Sequence, residues 1–325
     1  MIPDHIQTEH SACPNGCQPG EDLLFVGRDR LQDLPGNYAV QKCRSCGLIR
    51  TDPRPVPASI GYYYPDDYGP YLSSTAPQGA PVQRSWLRRA IRAASQSIVR
   101  MNTEALPNMP PGRMLEVGCA SGAFMAQMSN KGWQVEGIEF SESAANKACS
   151  LGLQVQTGAI EAAAAPAERP DLIVGWMVVE HLHDPVGALR KLASWAAPGA
   201  WLAISTPNAG SLDFRLFRSA NYALHLPNHL YHFDPRTLTT VLDKAGWKVD
   251  RVLHQRVLGN YLGSIGLLLE DWGAPRKLAH FFRDLPARRG YLNHWLYPIA
   301  WPLSLLGQTG RMTVWARLKE QDDAA

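Results

Sequence analysis

Short apolar runs alternate with amphipathic segments from residue 112 to residue 255 of the chain. Such runs are typical of buried strands, whereas apolar positions three and four apart, such as Phe124, Met125 and Met128, indicate helices. Regular alternation of the two predicts a parallel sheet covered by helices on both faces. With one further apolar run near the end of the chain, the predicted strands are 114–117, 134–139, 153–157, 171–176, 202–208, 247–255 and 312–318.

The first predicted strand ends in a turn of small residues, with Gly118 and Gly122 in the segment LEVGCASG. Glycine has no Cβ, so the backbone here can approach a ligand closely. The spacing E-x-G-x-x-x-G departs from the G-x-G-x-x-G dinucleotide fingerprint and lacks the Lys-Ser/Thr of a phosphate-binding loop. By itself, this spacing is as typical of an ordinary tight turn as of a turn that binds a nucleotide. Glu139, however, ends the next strand, where nucleotide-binding folds place a ribose-binding carboxylate.

Four segments in order, LEVGCASG, GIE, EHLHDP and STPN, resemble the class I S-adenosylmethionine-dependent methyltransferases. The similarity is strongest to the group that includes ubiquinone-biosynthesis O-methyltransferases and deoxysugar methyltransferases, and it covers residues 112–255. It implies an α/β fold with a Rossmann-like seven-stranded sheet. The last strand, 311–319, would be reversed, and 256–310 would be a helical insertion before it within a methyltransferase domain over 108–325.

The resemblance implies S-adenosylmethionine as the cofactor, and the acidic residues Glu116 and Glu139 suit a cation better than a triphosphate. We expect Glu116 and the glycine turn to hold the methionine end and Glu139 to bind the ribose. Phe140 would lie beside the adenine, and Met177 would line the sulfonium. The predicted cofactor-binding residues are Glu116, Gly118, Cys119, Ala120, Gly122, Glu139, Phe140, Ala159, Ile160, Glu161 and Met177.

Histidines are the candidate catalytic bases, because their ordinary pKa lies near neutrality. His181 follows the fourth strand, and His229 lies in the long connection after the fifth. We expect both to line the acceptor pocket and leave open which one is the base, since a single histidine after a strand is equally compatible with a structural role. His225, His229 and His232 could together bind a metal, but their spacing does not favour one.

Two cysteine pairs near the N-terminus, Cys13 with Cys17 and Cys43 with Cys46, predict a zinc ribbon over residues 1–50. Four thiolates suit tetrahedral Zn²⁺ and leave no position for substrate, so the ion would be structural. The segments 23–26 and 38–41 between the pairs alternate as in a small hairpin. The alternative is two unrelated pairs of reduced cysteines. Many methyltransferases of the group named above, notably sugar C-methyltransferases, carry a similar ribbon.

A connecting region over 51–107 follows, with five tyrosines crowded together: Tyr62, Tyr63, Tyr64, Tyr68 and Tyr71. An aromatic cluster is poorly suited to a solvated linker, so we expect this part to cover the catalytic mouth. Residues 83–101 have the spacing of an amphipathic helix with arginines on its polar face.

The insertion over 256–310 is unusually apolar and rich in Trp, Tyr and Leu. It is compatible with a helical cap packed on the sheet or a homodimer surface. The alternative is a lid for a greasy substrate that touches a membrane interface, where Trp, Tyr and Arg are favoured.

Composition narrows the class of function. The chain has 325 residues, a formal charge of +3 and 45% hydrophobic residues, with no long Lys/Arg tract, so nucleic acid is not an expected partner. The first residues contain no apolar signal-peptide core, which predicts a cytoplasmic protein, with membrane association left open.

Together these features predict a methyltransferase with a small-molecule acceptor. A sugar or sugar-linked metabolite is the first hypothesis for this acceptor. A lipophilic quinone- or phenol-like acceptor of an O-methyltransferase is the second hypothesis, and RNA or protein methylation is the third. A methyltransferase fold without activity is a further alternative, because fold does not imply function.

Overall fold

The computed structural model describes residues 2–64, 100–287 and 292–320. Tyr68, Tyr71 and the helix predicted over 83–101 lie outside these residues, apart from positions 100 and 101, which are not helical.

Five short strands form the N-terminal part. They are β1 Thr8–Glu9, β2 Glu21–Arg28, β3 Asn37–Cys43, β4 Ile49–Thr51 and β5 Arg54–Pro55. Strands β2, β3 and β4 form an antiparallel sheet, and β1 pairs with β5. The β2–β3 pairing confirms the small hairpin predicted between the two cysteine pairs.

The rest of the chain contains a large mixed sheet. Eight strands are described in this part of the chain: β6 Arg113–Val117, β7 Gln134–Glu139, β8 Gln154–Thr157, β9 Leu172–Trp176, β10 Trp201–Pro207, β11 Tyr231–His232, β12 Trp247–His254 and β13 Arg311–Leu318. All except β11 form one sheet of seven strands in the order β8-β7-β6-β9-β10-β13-β12. Strand β13 is antiparallel to both neighbours, as predicted for the last strand. The predicted Rossmann-like methyltransferase sheet is confirmed.

The direction of strand addition reverses between β6 and β9. The chain runs from β6 outward through β7 and β8 and then returns to place β9 on the other side of β6. In open α/β sheets ligands bind at the carboxyl ends of the strands at such a switch point. The four residues Leu172–Gly175 of β9 are all buried, as expected for a strand that is covered on both faces.

Nine α-helices are described. They are α1 Ala123–Ser129, α2 Glu142–Ser150, α3 Pro185–Trp195, α4 Leu212–Phe217, α5 Pro235–Lys244, α6 Gly259–Asp271, α7 Arg276–Asp284, α8 Leu292–Trp295 and α9 Tyr297–Leu305. Local sequence determines where several of them begin. Asp234 accepts a hydrogen bond from the Thr237 N–H at 2.7 Å with Pro235 in the first turn, so α5 begins where the Asp-Pro pair predicts.

The N-terminal sheet does not end at the cysteine region. Strand β11, in the long connection after β10, pairs with β4 and becomes the fourth strand of that sheet. This pairing joins the cysteine region to the segment that contains His229. No pattern in either segment predicts it, because each strand is only two or three residues long.

Helices α6 to α9 form the insertion between β12 and β13. Helices α6 and α7 approach closely at Gly266, where a Cβ would lie 2.3 Å from the Arg283 nitrogen. Helices α8 and α9 leave large apolar side chains exposed, with Trp295 81% and Leu306 71% accessible, so this face is not packed on the sheet. Within the described ranges, none of these or the other helices has the length and apolar content needed to cross a bilayer.

Candidate active site

The glycine turn after β6 has three residues in the left-handed region: Gly118 at φ 70°, Ala120 at φ 47° and Gly122 at φ 81°. A Cβ at Gly118 would lie 2.5 Å from Val178 Cγ2, and one at Gly122 would lie 2.4 Å from Leu153 Cδ1. The missing Cβ atoms therefore make room for neighbouring parts of the protein, and not directly for a ligand as the sequence suggested. Ala120 adopts its conformation at a cost of roughly 1–2 kcal/mol.

Glu139 connects this turn to helix α2. One carboxylate oxygen accepts a hydrogen bond from the Ala120 N–H at 2.8 Å, and the other accepts one from the Ser141 N–H at 2.8 Å. The side chain is buried, and this burial raises the pKa of Glu139. Each carboxylate oxygen has two acceptor positions, so two remain for the hydroxyls of a ribose.

Several buried polar atoms around the carboxyl ends of β6 and β9 have no hydrogen-bond partner in the described part of the chain. They include Glu116 Oε2, Ser121 Oγ and Trp176 Nε1. Buried polar groups are rarely left without a partner, and a ligand is one explanation of such a cluster. Burial also raises the pKa of Glu116 well above its ordinary value, which a cationic group would reverse. These residues fit the charged methionine end of S-adenosylmethionine.

The remaining predicted cofactor residues differ in what they can offer. Phe140 is 48% exposed and its ring lies 6.1 Å from that of Tyr64, so one face is available to an adenine. The Cys119 sulfur lies beside β7, since a Cβ on Gly137 would be 2.8 Å from it, and it is 3.8 Å from the Ala120 carbonyl within the turn. Met177 follows β9 with φ 60°, its N–H bonded to the Ser205 carbonyl.

The predicted adenine segment 159–161 forms a turn after β8. Ile160 is buried in the core, whereas the Glu161 side chain is exposed and its carbonyl accepts a hydrogen bond from the Lys191 ammonium. The Gly158 N–H, directly before this turn, donates to the Glu139 carbonyl at 2.8 Å, so the turn begins beside the end of β7. The assignment of Ala159, Ile160 and Glu161 to the adenine site stays a prediction.

The two predicted catalytic histidines lie side by side. The ring centroids of His181 and His229 are 4.6 Å apart at 79°, although 47 residues separate them along the chain. Glu180 lies with them, and ligand atoms of the three side chains are all within 4.8 Å of one another. Sequence reasoning paired His181 with His229 but did not include Glu180. Its position directly after an apolar strand and beside a histidine was the available signal.

Hydrogen bonds to the backbone determine the tautomer of both histidines. His181 Nδ1 lies 2.9 Å from the Asn228 carbonyl and 2.8 Å from the Tyr64 hydroxyl, and His229 Nδ1 lies 2.8 Å from the Ala223 carbonyl. A carbonyl only accepts, so each Nδ1 carries the proton. Each Nε2 then has a free lone pair. Burial lowers the pKa of both rings, which keeps them neutral.

Glu180 is fully buried, and neither carboxylate oxygen makes a hydrogen bond of standard geometry to the residues described, although the Thr206 hydroxyl and the charge of Arg311 favour its ionised form. This burial raises the pKa of Glu180 to about 8. A carboxylate in such a place is costly unless a proton, a cation or a donor compensates it.

The N-terminal sheet positions this cluster. The Thr51 hydroxyl at the end of β4 donates to the His229 carbonyl at 2.8 Å, and the Thr51 N–H donates to the Leu230 carbonyl at 2.9 Å. The Leu230 N–H in turn donates to the Glu180 carbonyl at 2.8 Å. These three hydrogen bonds connect the cysteine region, the loop after β10 and the turn after β9.

The four predicted zinc ligands also come together. The sulfur atoms of Cys13, Cys17, Cys43 and Cys46 all lie within 4.8 Å of one another, and those of Cys13 and Cys46 are 3.5 Å apart. Four sulfurs about 2.3 Å from a tetrahedral zinc ion would be ~3.8 Å apart. The Asn15 side-chain N–H lies 3.4 Å from the Cys46 sulfur. Burial opposes ionisation of Cys46, but hydrogen bonds from Asn15 and Leu48 lower its pKa to about 7.

Comparison with known proteins agrees with this geometry. The family model described as "Methyltransferase domain" matches residues 86–252, just over half of the chain. The chain belongs to the class I S-adenosylmethionine-dependent methyltransferases. Curated relatives include the ubiquinone biosynthesis O-methyltransferase of Bordetella pertussis, 32% identical over 148 residues, which are 41% of this chain and 61% of that protein. The protein of the same name from Nitrosospira multiformis is 30% identical over 154 residues, 43% of this chain and 64% of the relative.

This methyltransferase therefore spans about three fifths of the length of the curated relatives it matches. Among solved structures, an S-adenosylmethionine-dependent methyltransferase from Mesorhizobium loti has a TM-score of 0.43 at 14% identity, covering 69% of this chain and 96% of that one. Magnesium protoporphyrin IX methyltransferase from Synechocystis with bound SAH has a TM-score of 0.42 at 13% identity, covering 74% and 90%.

Proposed function

We propose that this methyltransferase transfers a methyl group to a hydroxyl of a small-molecule acceptor bound beside Glu180, His181 and His229. The observation that carries the proposal is the pair of neutral histidine rings, 4.6 Å apart, whose ligand atoms lie within 4.8 Å of a buried carboxyl group. A hydroxyl must lose its proton to become methylated, and this cluster is the group of the described residues best suited to activate it.

S-adenosylmethionine, when bound, supplies a methyl group on a sulfonium sulfur that the acceptor oxygen displaces in line. Glu116 and Glu139 would bind its methionine and ribose ends, and the backbone of the glycine turn would fix its position. Tyr64 would cover the site from the opposite side, since its hydroxyl touches His181 and its ring lies near Phe140. Correct placement of two reactants is itself a large part of the rate enhancement expected of such an enzyme.

A phenol- or quinol-like acceptor is our first choice, because the curated relatives are named as ubiquinone biosynthesis O-methyltransferases. The exposed apolar face of α8 and α9, with Trp295, Ile299 and Leu306, supports a lipophilic molecule. The sugar acceptor favoured by the sequence is kept as the second candidate, since the cysteine cluster resembles the ribbon of sugar methyltransferases.

Two measurements test this function. Calorimetry with S-adenosylmethionine should show binding that Glu139→Ala weakens by about 10- to 100-fold, the equivalent of losing charged hydrogen bonds. Glu142→Ala, an exposed acid at the start of α2, is the matched control and should bind as the wild type does. Absence of binding to the wild type would overturn the cofactor assignment for the protein.

The acceptor is tested by S-adenosylhomocysteine release with a prenylated catechol and with a nucleotide-linked deoxysugar. We expect methylation of the catechol and none of its dimethyl ether, which has no free hydroxyl. Methylation of the sugar alone would replace the first candidate by the second.

We also propose that Cys13, Cys17, Cys43 and Cys46 bind a structural zinc ion. Four sulfur ligands leave no open position, so the ion would hold the N-terminal sheet and take no part in the reaction. Elemental analysis of the purified protein should find one zinc ion per chain that Cys46→Ser removes and Cys149→Ser, outside the cluster, does not. An unchanged zinc content in Cys46→Ser would exclude this site.

A further inference from the structure

The cluster of Glu180, His181 and His229 has the features of a metal centre with an open coordination position. Its three ligand atoms lie within 4.8 Å of one another. Ligand atoms that share one zinc ion at ~2.1 Å lie ~3.4 Å apart in tetrahedral geometry, so the side chains need to close by an ångström or so at most. The sequence offered His225, His229 and His232 as a possible metal site. In the structure, only His229 of these three belongs to the cluster, and Glu180 and His181 from the turn after β9 complete it.

Outer contacts already orient the two histidines as metal ligands. Each ring donates its Nδ1–H to a backbone carbonyl, of Asn228 for His181 and of Ala223 for His229. Metal-bound histidines almost always make such a bond with the ring nitrogen that does not coordinate. The nitrogen that each ring keeps for a metal ion is therefore Nε2.

The third member is a buried carboxyl group. Neither Glu180 oxygen makes a hydrogen bond of standard geometry, although the Thr206 hydroxyl and the charge of Arg311 favour its ionised form, and neither neutral Nε2 can donate to it. A proton on Glu180 can be donated to only one of the two histidines. A cation is the group that satisfies all three at once.

We propose that Glu180, His181 and His229 bind a divalent first-row transition metal ion, with zinc as the first expectation. Two imidazoles and one carboxylate are the ligand set of catalytic zinc and of non-haem iron sites, which keep a position open. The open position would take the acceptor oxygen, and this assignment of its role rests on the proposed function, whereas ion binding does not. In this arrangement the ion would lower the pKa of the bound hydroxyl, whose proton would leave to water, and His181 and His229 would hold the ion instead of acting as bases.

Zinc titration of the protein with its cysteine site already filled tests the proposal. Calorimetry should detect one additional site in the wild type, and Glu180→Gln and His229→Gln should each weaken it at least about tenfold. His183→Gln is the matched control, because His183 is two residues from His181 but its Nε2 lies 3.0 Å from the Pro55 carbonyl. That variant should bind zinc as the wild type does.

A measurement on the wild type avoids reliance on variants that fail to fold. In the ¹⁵N spectrum of the ten histidine rings, zinc should shift the Nε2 signals of two histidines, those of His181 and His229. The proposal is overturned if the filled protein takes up no further ion, or if Glu180→Gln binds the ion as tightly as the wild type. Loss of ion binding with normal S-adenosylmethionine binding would remove this inference alone. Ion binding without methylation of any hydroxyl would remove only the proposed acceptor chemistry.

Discussion

Two clusters in this protein bring together side chains that ligate metals, and they differ in almost every respect. The cysteine cluster consists of Cys13, Cys17, Cys43 and Cys46, four soft ligands that can close completely around one ion. The histidine cluster consists of Glu180, His181 and His229, three harder ligands that cannot enclose an ion by themselves. Strands β4 and β11 connect the two, so a structural element and a reactive one share a sheet.

The two clusters differ in how their members are brought together from separate parts of the chain. Each cysteine pair is local, and a single hairpin between the pairs brings the four sulfurs together. The histidine cluster joins the turn after β9 to the loop after β10, and its shape depends on contacts from the N-terminal sheet. A structural site can therefore be found by spacing, while a reactive site needs the whole fold.

Cys46→Ser should produce the largest effect on stability. Binding of structural zinc contributes about 10–16 kcal/mol in small zinc domains at neutral pH, so loss of one ligand should unfold the N-terminal sheet. Circular dichroism should show loss of strand signal and a lower melting temperature, with Cys149→Ser unchanged. If Cys46→Ser melts like the wild type, the cysteine cluster is not the structural member of the pair.

Glu180→Gln should affect the reaction and not the fold. We expect methyl transfer to fall by at least about 100-fold, the usual scale for losing a proton-transfer or ion-binding group. The free energy of unfolding at neutral pH should change by less than about 1 kcal/mol, because burial raises the pKa of Glu180 to about 8 and the amide then replaces a neutral carboxyl group of the same shape. Rate assays and urea unfolding measure the two quantities. A loss of stability similar to that of Cys46→Ser would abolish the distinction between the clusters.

Thr51→Val tests the connection between them. The substitution keeps the shape of the side chain and removes the hydrogen bond from Thr51 to the His229 carbonyl, worth about 1 kcal/mol. We expect methyl transfer to fall about fivefold while zinc content and S-adenosylmethionine affinity stay unchanged. The control is Thr239→Val, because the Thr239 hydroxyl donates to the Pro235 carbonyl on the exposed face of helix α5. An unaltered rate in Thr51→Val would show that the sheet does not position His229.

Asn15→Ala should change neither the fold nor the rate of methyl transfer, and only the affinity of the cysteine cluster for zinc should fall. Its side chain donates to the Cys46 sulfur, and loss of such an outer contact typically lowers metal affinity by about 10- to 100-fold without emptying the site. Competition with a zinc-binding dye measures the change, with the exposed Asn146→Ala as reference. No change would mean that the four sulfurs alone set the affinity.

A large part of the fold follows from local pattern. The apolar runs predict the strands of the large sheet, and the Asp234-Pro235 pair predicts the start of α5. The cysteine spacing brings four sulfurs to one place. By contrast, the β4–β11 pairing was not predicted, because two or three residues carry no periodic signal. The predicted use of Gly118 was also incomplete, since only the structure shows Val178 in the direction of its missing Cβ.

The sequence by itself determined the class of fold, and it predicted the glycine turn with Glu139, the four cysteines and the two histidines as candidate site residues. These depend on spacing, on hydrophobic period and on residue chemistry, all of which are local properties. Tertiary structure alone decided that Glu180 joins His181 and His229 in one cluster. The physical reason is that the Nδ1 partners are backbone carbonyls of Asn228 and Ala223, whose positions depend on the path of the chain and not on side-chain identity.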